Sequence, residues 1–184
     1  GEILVSGEVV MNGYWNDHEA TSKTLIDGWI HTGDIGEFDE DDYLKITDRK
    51  KDILVNAGGD NISPSRVEAK LDIEPEISQS MLYGDFKNYL VAVIVPDKDF
   101  AINWARKNSQ NESLESIIKD NEFNKLIKEV ITKVNKNLSV IEQVRKFILI
   151  DHEFTIENSM MTPSMKVRRF KVKDKYGEEL ENLY

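Results

Sequence analysis

The chain has 184 residues, of which 40% are hydrophobic and 32% charged, and it contains no cysteine and three scattered histidines. This composition excludes a disulfide scaffold, a thiol nucleophile and a thiolate zinc site, and it argues against a histidine metal cluster. The net charge is −10, all of it in residues 1–48, whereas residues 49–184 carry equal numbers of acids and bases. An acidic surface argues against nucleic-acid binding, and the shift predicts two structural units that meet near residue 50. The charge pattern alone fits two solvated faces of one domain equally well.

Residues 1–48 contain short apolar runs separated by turn residues, a pattern that predicts short strands. These strands are predicted at 2–7, 8–11, 29–31, 35–38 and 43–46. One short helix is predicted at 17–26, with Asn16 or Asp17 as its N-cap. The acidic turn at 39–42 is predicted to join the last two strands as a hairpin. Strands and a helix this short cannot enclose a hydrophobic core, so we expect residues 1–48 to form the edge of a larger structural unit.

Residues 49–184 contain longer elements and look self-sufficient. Strands are predicted at 53–55, 77–83, 89–95 and 144–150. Helices are predicted after Ser63-Pro64, from the Asp97 cap to about Lys107, across 114–138 as one or two helices, and at 167–183. The apolar stripe of 114–138 is predicted to be core, and the polar stretch 108–113 to be a loop. The order of the elements predicts an α+β fold, with a small sheet covered by helices.

Two charged segments of the sequence contain residue types that suit the binding of a nucleotide. Asp34 follows a predicted Thr32-Gly33 turn at the exit of a strand, and its carboxylate can accept hydrogen bonds from both ribose hydroxyls. Arg49, next to Lys50 and Lys51, offers a planar guanidinium that suits phosphate or ribose oxygens. Taken singly, each string is more typical of an ordinary turn or a surface charge cluster.

Two further strings suit the approach of a ligand and the stabilisation of charge. Gly58 and Gly59 form a loop whose backbone a ligand can approach closely. Lys166 follows Pro163 and begins the basic stretch 166–175, so it can bring a positive charge to a phosphoryl transition state. Taken singly, these strings also fit a glycine turn and a solvated helix face.

Together, in this order and spacing, these four sequence motifs resemble the motifs of the adenylate-forming enzymes. This superfamily comprises acyl-CoA synthetases, luciferases and peptide-synthetase adenylation domains. Within it, the stretches 83–97 and 139–150 are similar to bacterial long-chain fatty acid–CoA ligases. The resemblance implies that residues 49–184 are the small, mobile C-terminal domain, a short antiparallel sheet covered by helices. It implies that residues 1–48 are β-rich hairpins from the C-terminal edge of the large N-terminal AMP-binding domain.

The resemblance also implies roles for individual residues in binding ATP and CoA. Asp34 would hold the ribose of ATP or AMP, Arg49 its ribose or phosphate side, and Lys166 would be the catalytic lysine of adenylation. Gly58 and Gly59 would line the tunnel for the pantetheine arm of CoA.

Lys51 would be the pivot of the hinge between the two domains. The sequence departs from the family pattern at Lys51, where many relatives have aspartate. It departs again at Ser164-Met165, which replaces a glycine often found before the lysine.

Several parts of the family pattern have no counterpart here, namely the phosphate-binding loop, the Thr-Glu motif and the acyl pocket. The chain opens with Gly-Glu and shows no signal peptide and no apolar run long enough to span a bilayer. We therefore expect the C-terminal portion of a longer cytoplasmic ligase that uses a fatty acid, ATP and CoA and is inactive by itself. The Mg²⁺ site and most ATP contacts would lie in the missing N-terminal domain, and no metal site is expected in this chain.

Three other interpretations stay open. The first is another adenylate-forming enzyme, either a short-chain or aryl acyl-CoA ligase or a domain that loads a carrier protein. The second is a non-catalytic module that binds a nucleotide or CoA. The third is peripheral membrane contact, because residues 166–175 carry six bases and one acid and a basic helix can lie on anionic lipid.

Overall fold

A computed structural model of the chain describes residues 1–108 and 110–184, which divide into two compact units. Unit 1 comprises Gly1–Ile53 and unit 2 comprises Leu54–Tyr184. The loop predicted at 108–113 includes Ser109, which lies outside the described residues. None of the helices in the described part of the chain is both long enough and apolar enough to cross a bilayer.

Unit 1 is a four-stranded antiparallel sheet with one short helix. Its elements are β1 (Glu2–Val5), α1 (His18–Thr24), β2 (Leu25–Ile26), β3 (Trp29–Phe38) and β4 (Leu44–Arg49). Strands β1, β2 and β4 all pair with β3, which is therefore the element that holds the unit together. The predicted hairpin around residues 39–42 is confirmed, because β3 and β4 pair on either side of it.

Unit 1, all of whose residues are described, buries no apolar side chain. Its large apolar groups face solvent instead, with Trp15 92% exposed and Val9 88% exposed. Phe38 and Tyr43 are also exposed. The expectation that these short strands do not enclose a core is confirmed, so the sheet is held by its backbone ladder and its polar contacts.

Two predicted elements of unit 1 are wrong in position. Residues 8–11 form a turn rather than a strand, because no neighbouring strand pairs with them and the Val10 N–H donates to the Gly7 carbonyl at 3.1 Å. A strand needs a pairing partner, which its β propensity does not supply. The separate strands predicted at 29–31 and 35–38 are one continuous strand, β3, because β1 and β4 pair along it.

The short helix of unit 1 begins as predicted and ends early. The Asp17 carboxylate accepts a hydrogen bond from the Ala20 N–H at 2.9 Å, which is the geometry of an N-cap. The helix ends at Thr24 because Leu25 and Ile26 leave it to pair with β3.

The described residues of unit 2 contain a two-stranded sheet, a three-stranded sheet, five α-helices and one short 3-10 helix (Val140–Glu142). Its elements are β5 (Leu54–Val55), β6 (Asn61–Ile62), α2 (Pro64–Leu71), β7 (Ile77–Tyr83), β8 (Leu90–Pro96), α3 (Lys98–Lys107), α4 (Leu114–Ile117), α5 (Asn121–Asn135), β9 (Val144–Leu149) and α6 (Arg169–Glu181). The sheet order is β7-β8-β9, with β7 antiparallel and β9 parallel to β8. The predicted helix at 167–183 is shorter than expected, since Val167 forms an isolated bridge with Met161 and Arg168 is the N-cap.

The central strand β8 separates two apolar clusters, because alternate side chains of a strand point to opposite faces. Ala92 and Ile94 lie in the cluster with α2, α3 and α5, whereas Val91 and Val93 lie in the cluster with α6. The prediction that the apolar stripe of 114–138 is core is confirmed by α5, whose apolar face is buried in the first cluster. The predicted α+β class is confirmed, with a sheet that is mixed because β9 is parallel to β8.

A bidentate ion pair ties α2 to α6 across this core. Glu68 is 11% exposed at its side chain and accepts hydrogen bonds from both Nη atoms of Arg169. Its Oε1 also accepts from the Leu82 N–H at 2.6 Å, so the carboxylate is coupled to β7 as well.

We expect Arg169→Ala to lower the free energy of unfolding by about 3 kcal/mol, because the Glu68 carboxylate would stay buried without its counter-charge. Urea unfolding followed by circular dichroism measures this loss. Lys171→Ala, which removes an exposed base of α6, is the control and should change stability by no more than about 0.5 kcal/mol. Equal effects of the two substitutions would contradict a structural role for the ion pair.

Candidate functional site

An irregularity in β3 positions Asp34. The β1–β3 register shifts opposite Ile3, where Gly33 has a φ of +71°, a conformation that glycine adopts without strain. The Thr32 hydroxyl donates to the Ile3 carbonyl at 2.8 Å and accepts from the Asp34 N–H at 3.1 Å. Asp34 was predicted to follow a turn at the exit of a strand. It instead lies inside β3, directly after the bulge.

The structure brings Asp34 and Arg49 together within unit 1. They are register partners on β3 and β4, and Arg49 Nε lies 2.9 Å from Asp34 Oδ1. The side chains are 25% and 52% exposed, respectively. The contact uses one carboxylate oxygen and Nε, so the second oxygen and the two Nη atoms face no partner among the described residues. The pair therefore offers acceptors for hydroxyls and donors for an anion in one place.

Glu2 holds the bulge in place, and the sequence reasoning missed it. Its Oε2 lies 2.8 Å from the Lys50 ammonium, and its Oε1 accepts from the Gly33 N–H at 3.2 Å. The hydrogen bond with Lys50 lowers the pKa of the Glu2 carboxyl from its ordinary value. The Lys50 N–H also donates to the Gly33 carbonyl at 2.8 Å. No local sequence signal links residues this far apart, so only the fold reveals the contact.

The loop that carries Gly58 and Gly59 is organised by Asn56. The Asn56 side-chain oxygen accepts from the N–H groups of Gly58 and Asp60, both at 2.9 Å. Its amide group donates to the Asp60 carboxylate at 3.0 Å. Gly59 has a φ of +87°, and a Cβ there would meet no atom within 4 Å. The backbone of this exposed loop is thus accessible and locally defined.

The same loop rests on the turn between β7 and β8. The Phe86 N–H donates to the Val55 carbonyl at 2.6 Å, and the Val55 N–H donates to the Asp85 carboxylate at 3.0 Å. The Ala57 N–H donates to the Lys87 carbonyl at 3.0 Å. Three hydrogen bonds therefore fix the entry to the glycine loop against the main sheet of unit 2.

Lys166 lies on a tight turn that is closed by an isolated antiparallel bridge between Met161 and Val167. The Thr162 N–H donates to the Lys166 carbonyl at 2.8 Å, and the Thr162 hydroxyl accepts from the Lys166 N–H at 3.0 Å. Met165 adopts a φ of +60° at the tip. The Lys166 side chain is exposed, and its ammonium makes no hydrogen bond or ion pair with any described residue. Its backbone is fixed while its charge stays available.

Lys51 lies in an exposed turn close to the boundary between the units. The N–H groups of Asp52 and Ile53 both donate to the Arg49 carbonyl, at 2.9 and 3.2 Å. This turn ends β4, and unit 2 begins after Ile53. The role of Lys51 as a hinge stays a prediction.

Apart from Lys51, the predicted site residues thus form three groups. Asp34 and Arg49 meet on the sheet of unit 1, whereas the glycine loop and the Lys166 turn are separate loops of unit 2. Within the described residues, no three acidic or histidine side chains are grouped to hold a metal ion.

The chain is similar to one protein family and to several long-chain-fatty-acid–CoA ligases. Residues 51–184 match the family model of the AMP-binding enzyme C-terminal domain. The whole chain is 38% identical to the long-chain-fatty-acid–CoA ligase FadD15 of Mycobacterium tuberculosis and covers 31% of it. It is 34% identical to long-chain-fatty-acid–CoA ligase 1 of Homo sapiens, again over its whole length, and covers 27% of that protein. The chain therefore spans about a third of the length of these curated relatives.

Solved structures give the same picture of the fold. The adenylation domain of a carboxylate reductase from Mycobacterium chelonae matches the whole chain with a TM-score of 0.84 and 30% identity, over 27% of its own length. The A domain of carboxylic acid reductase from Segniliparus rugosus, in complex with AMP and a co-purified carboxylic acid, matches with a TM-score of 0.80 and 28% identity, over 28% of its length. The predicted resemblance to adenylate-forming enzymes is confirmed, and the chain belongs to the AMP-binding enzyme C-terminal domain family.

Proposed function

We propose that the chain is the C-terminal part of a long-chain acyl-CoA synthetase, which joins a fatty acid to CoA at the expense of ATP. The observation that carries this proposal is the exposed, unpaired ammonium of Lys166 on a rigid turn. It occurs in a chain that aligns over its whole length with long-chain ligases. A cation held in this way suits a ligand that brings several negative charges.

Unit 1 would be the edge of a larger N-terminal AMP-binding domain. The absence of a buried apolar side chain in this fully described unit supports the proposal, as does the exposure of Trp15, Phe38 and Tyr43. Apolar side chains in such numbers gain stability when another surface covers them. The phosphate-binding loop, the acyl pocket and the residues for Mg²⁺ would lie in that larger domain.

In the proposed first step, an oxygen of the fatty acid carboxylate attacks the α-phosphorus of ATP. The bond from that phosphorus to the bridging oxygen breaks, pyrophosphate leaves, and an acyl-adenylate forms. Asp34 would accept hydrogen bonds from the ribose hydroxyls, and Arg49 would bind the ribose or phosphate side. Lys166 would stabilise the negative charge that gathers on the carboxylate and α-phosphate oxygens.

In the proposed second step, unit 2 reorients about Lys51. Lys166 leaves the nucleotide, and the loop with Gly58 and Gly59 lines the channel for the pantetheine arm of CoA. The thiol sulfur attacks the acyl carbonyl carbon, the bond from this carbon to the AMP oxygen breaks, and the thiol proton passes to solvent. Exposed glycine backbone suits this role, because a narrow arm can pass close to it.

A second candidate function is adenylation followed by loading of a carrier protein. The similarity to carboxylic acid reductase structures favours it, including one of an adenylation domain together with its carrier domain. The acceptor in the second step discriminates the two functions. The full-length protein should form acyl-CoA with free CoA, whereas a carrier-loading enzyme would acylate only a phosphopantetheinylated carrier.

We expect Lys166→Ala in the full-length enzyme to slow adenylation by roughly 100-fold or more, because one charge is removed from the transition state. Thioester formation from supplied acyl-adenylate should stay within about threefold of wild type, since Lys166 has no part in that step. Pyrophosphate release and acyl-CoA formation measure the two half-reactions separately. Lys171→Ala is the control, and equal loss of both half-reactions would contradict the role of Lys166.

Lys51→Pro should slow the second half-reaction selectively, because proline fixes φ at about −65° and restricts the turn. Lys51→Ala is the matched control, since it removes the same side chain and leaves the backbone free. Single-turnover rates of adenylation and of thioester formation test this. Unchanged thioester formation in Lys51→Pro would show that the backbone at this position is no hinge.

Asn56→Ala should loosen the glycine loop, because the N–H groups of Gly58 and Asp60 would lose their acceptor. Loss of about 1 kcal/mol predicts amide exchange at these two positions that is roughly fivefold faster. Amide exchange measured by NMR on this chain tests the prediction. In the full-length enzyme, the substitution should slow thioester formation more than it slows adenylation. Asn88→Ala, an exposed change in the neighbouring turn, is the control. Unchanged exchange would mean that Asn56 does not hold the loop.

A further inference from the structure

A groove of about 560 Å³ lies between α5 and β9 in unit 2 and shares no residue with the glycine loop or the Lys166 turn. One wall is the face of α5 that carries Lys128 and Thr132, continued by its C-cap residue Lys136, at intervals of four residues that project from the same side of the helix. The other wall is the start of β9, and Leu183 also lines the groove.

The rim of this groove is basic. Lys128, Lys136, Arg145 and Lys146 line it, and none of its described lining residues is acidic. Lys146 donates to the Leu183 carbonyl, whereas the side chains of the other three form no ion pair with any described residue. Three cations that form no ion pair around one concave surface produce a field that attracts an anion.

The floor of the groove is apolar. Ile131 and Val144 are each 3% exposed, and Phe147 is partly buried against the same core. The β8–β9 register shifts at the start of β9, so Arg145 and Lys146 are both exposed in succession above this floor. A ligand that enters here would meet apolar surface below and positive charge above.

Asn135 holds the two walls at a fixed separation. Its side-chain oxygen accepts from the Val144 N–H at 3.0 Å, and its amide donates to the Val144 carbonyl at 2.8 Å. The last turn of α5 is thereby bonded to the first residue of β9. A groove with fixed walls loses little conformational freedom when a ligand binds.

We propose that this groove binds a small amphipathic anion, a free molecule with a carboxylate or phosphate head and an apolar chain. The uncompensated cations account for the anionic head, and the buried floor accounts for the chain. The volume lies in the range of small-molecule sites. A membrane surface fits less well, because Ile131 and Val144 are recessed and a flat lipid layer cannot reach them. The groove is separate from the residues of the proposed function, so either assignment can fail without the other.

The test uses octanoate as the probe and 1-octanol as its neutral match, titrated into this chain labelled with ¹⁵N. We expect saturable shifts of the Thr132 and Arg145 amides with octanoate, and affinity for 1-octanol at least roughly tenfold weaker because it lacks the charge. Absence of saturable shifts at these positions, or equal affinity for the two probes, would overturn the proposal.

Two variants probe the two parts of the groove. Lys128→Gln combined with Lys136→Gln should weaken octanoate binding roughly tenfold, whereas Lys98→Gln combined with Lys107→Gln removes two exposed lysines of α3 and should leave it within about twofold. Thr132→Trp at an exposed position should fill the groove and abolish binding. Equal weakening by both lysine pairs would show unspecific attraction to charge.

Vesicles of phosphatidylglycerol distinguish a membrane from a free ligand. We expect Lys128→Gln combined with Lys136→Gln to leave sedimentation with these vesicles unchanged. If the pair abolishes sedimentation while free octanoate gives no saturable shift, the groove docks on lipid and the proposal is wrong.

Discussion

The burial of β8 on both faces is the constraint on which the arrangement of the candidate loops depends. Every residue from Leu90 to Pro96 is buried, and alternate side chains belong to different apolar clusters. A shift of one residue would exchange the two sets, so the register of this strand is tightly specified. The turn that precedes β8 is therefore fixed. Because the entry to the glycine loop is bonded to that turn at Val55 and Ala57, its position follows from the core.

The turn of Lys166 combines an immobile backbone with an available charge. Arg169, three residues later, is fixed by its two hydrogen bonds to Glu68, and the Arg168 N–H donates to the Met160 carbonyl at 2.7 Å. The segment is thus anchored on its C-terminal side, where α6 begins. Lys166 lies on the N-terminal side of this anchor, and its ammonium makes no hydrogen bond or ion pair with any described residue. Within four positions the chain therefore carries one cation that stabilises the fold and one that, in the proposed function, would contact a ligand.

The sequence correctly predicted those elements whose boundaries are set by neighbouring residues. Asp97 caps α3 through the Phe100 N–H at 2.8 Å, and Pro64 begins α2, as the sequence indicated. The run at 8–11 has the same β propensity as true strands, yet it lacks a partner, and pairing is decided by residues far away. Propensity predicts which segments can form strands, and the tertiary fold decides which of them do.

In the candidate site too, the sequence indicated individual residues but not the contacts that the tertiary fold creates between them. The resemblance singled out Asp34 and Arg49 separately, but their contact depends on the β3–β4 register, which shifts between Ile35 and Gly36. A shift of this kind cannot be counted from the hairpin sequence. Glu2 was missed for the same reason, since its contact with Gly33 joins residues that are distant along the chain.

The charge of unit 1 gives a physical reason why a cation from elsewhere would be needed. Residues 1–48 carry a net charge of −10, and unit 1, which adds Arg49, Lys50, Lys51 and Asp52, carries −8. Asp34 already pairs with Arg49, and Glu2 engages Lys50. A triphosphate beside such a surface would be repelled, because like charges interact strongly where solvent is excluded. In the proposed enzyme the missing positive charge would come from metal and N-terminal residues, and from Lys166. A cation that arrives only for adenylation and then leaves would also release AMP more easily, since the repulsion returns once it has gone.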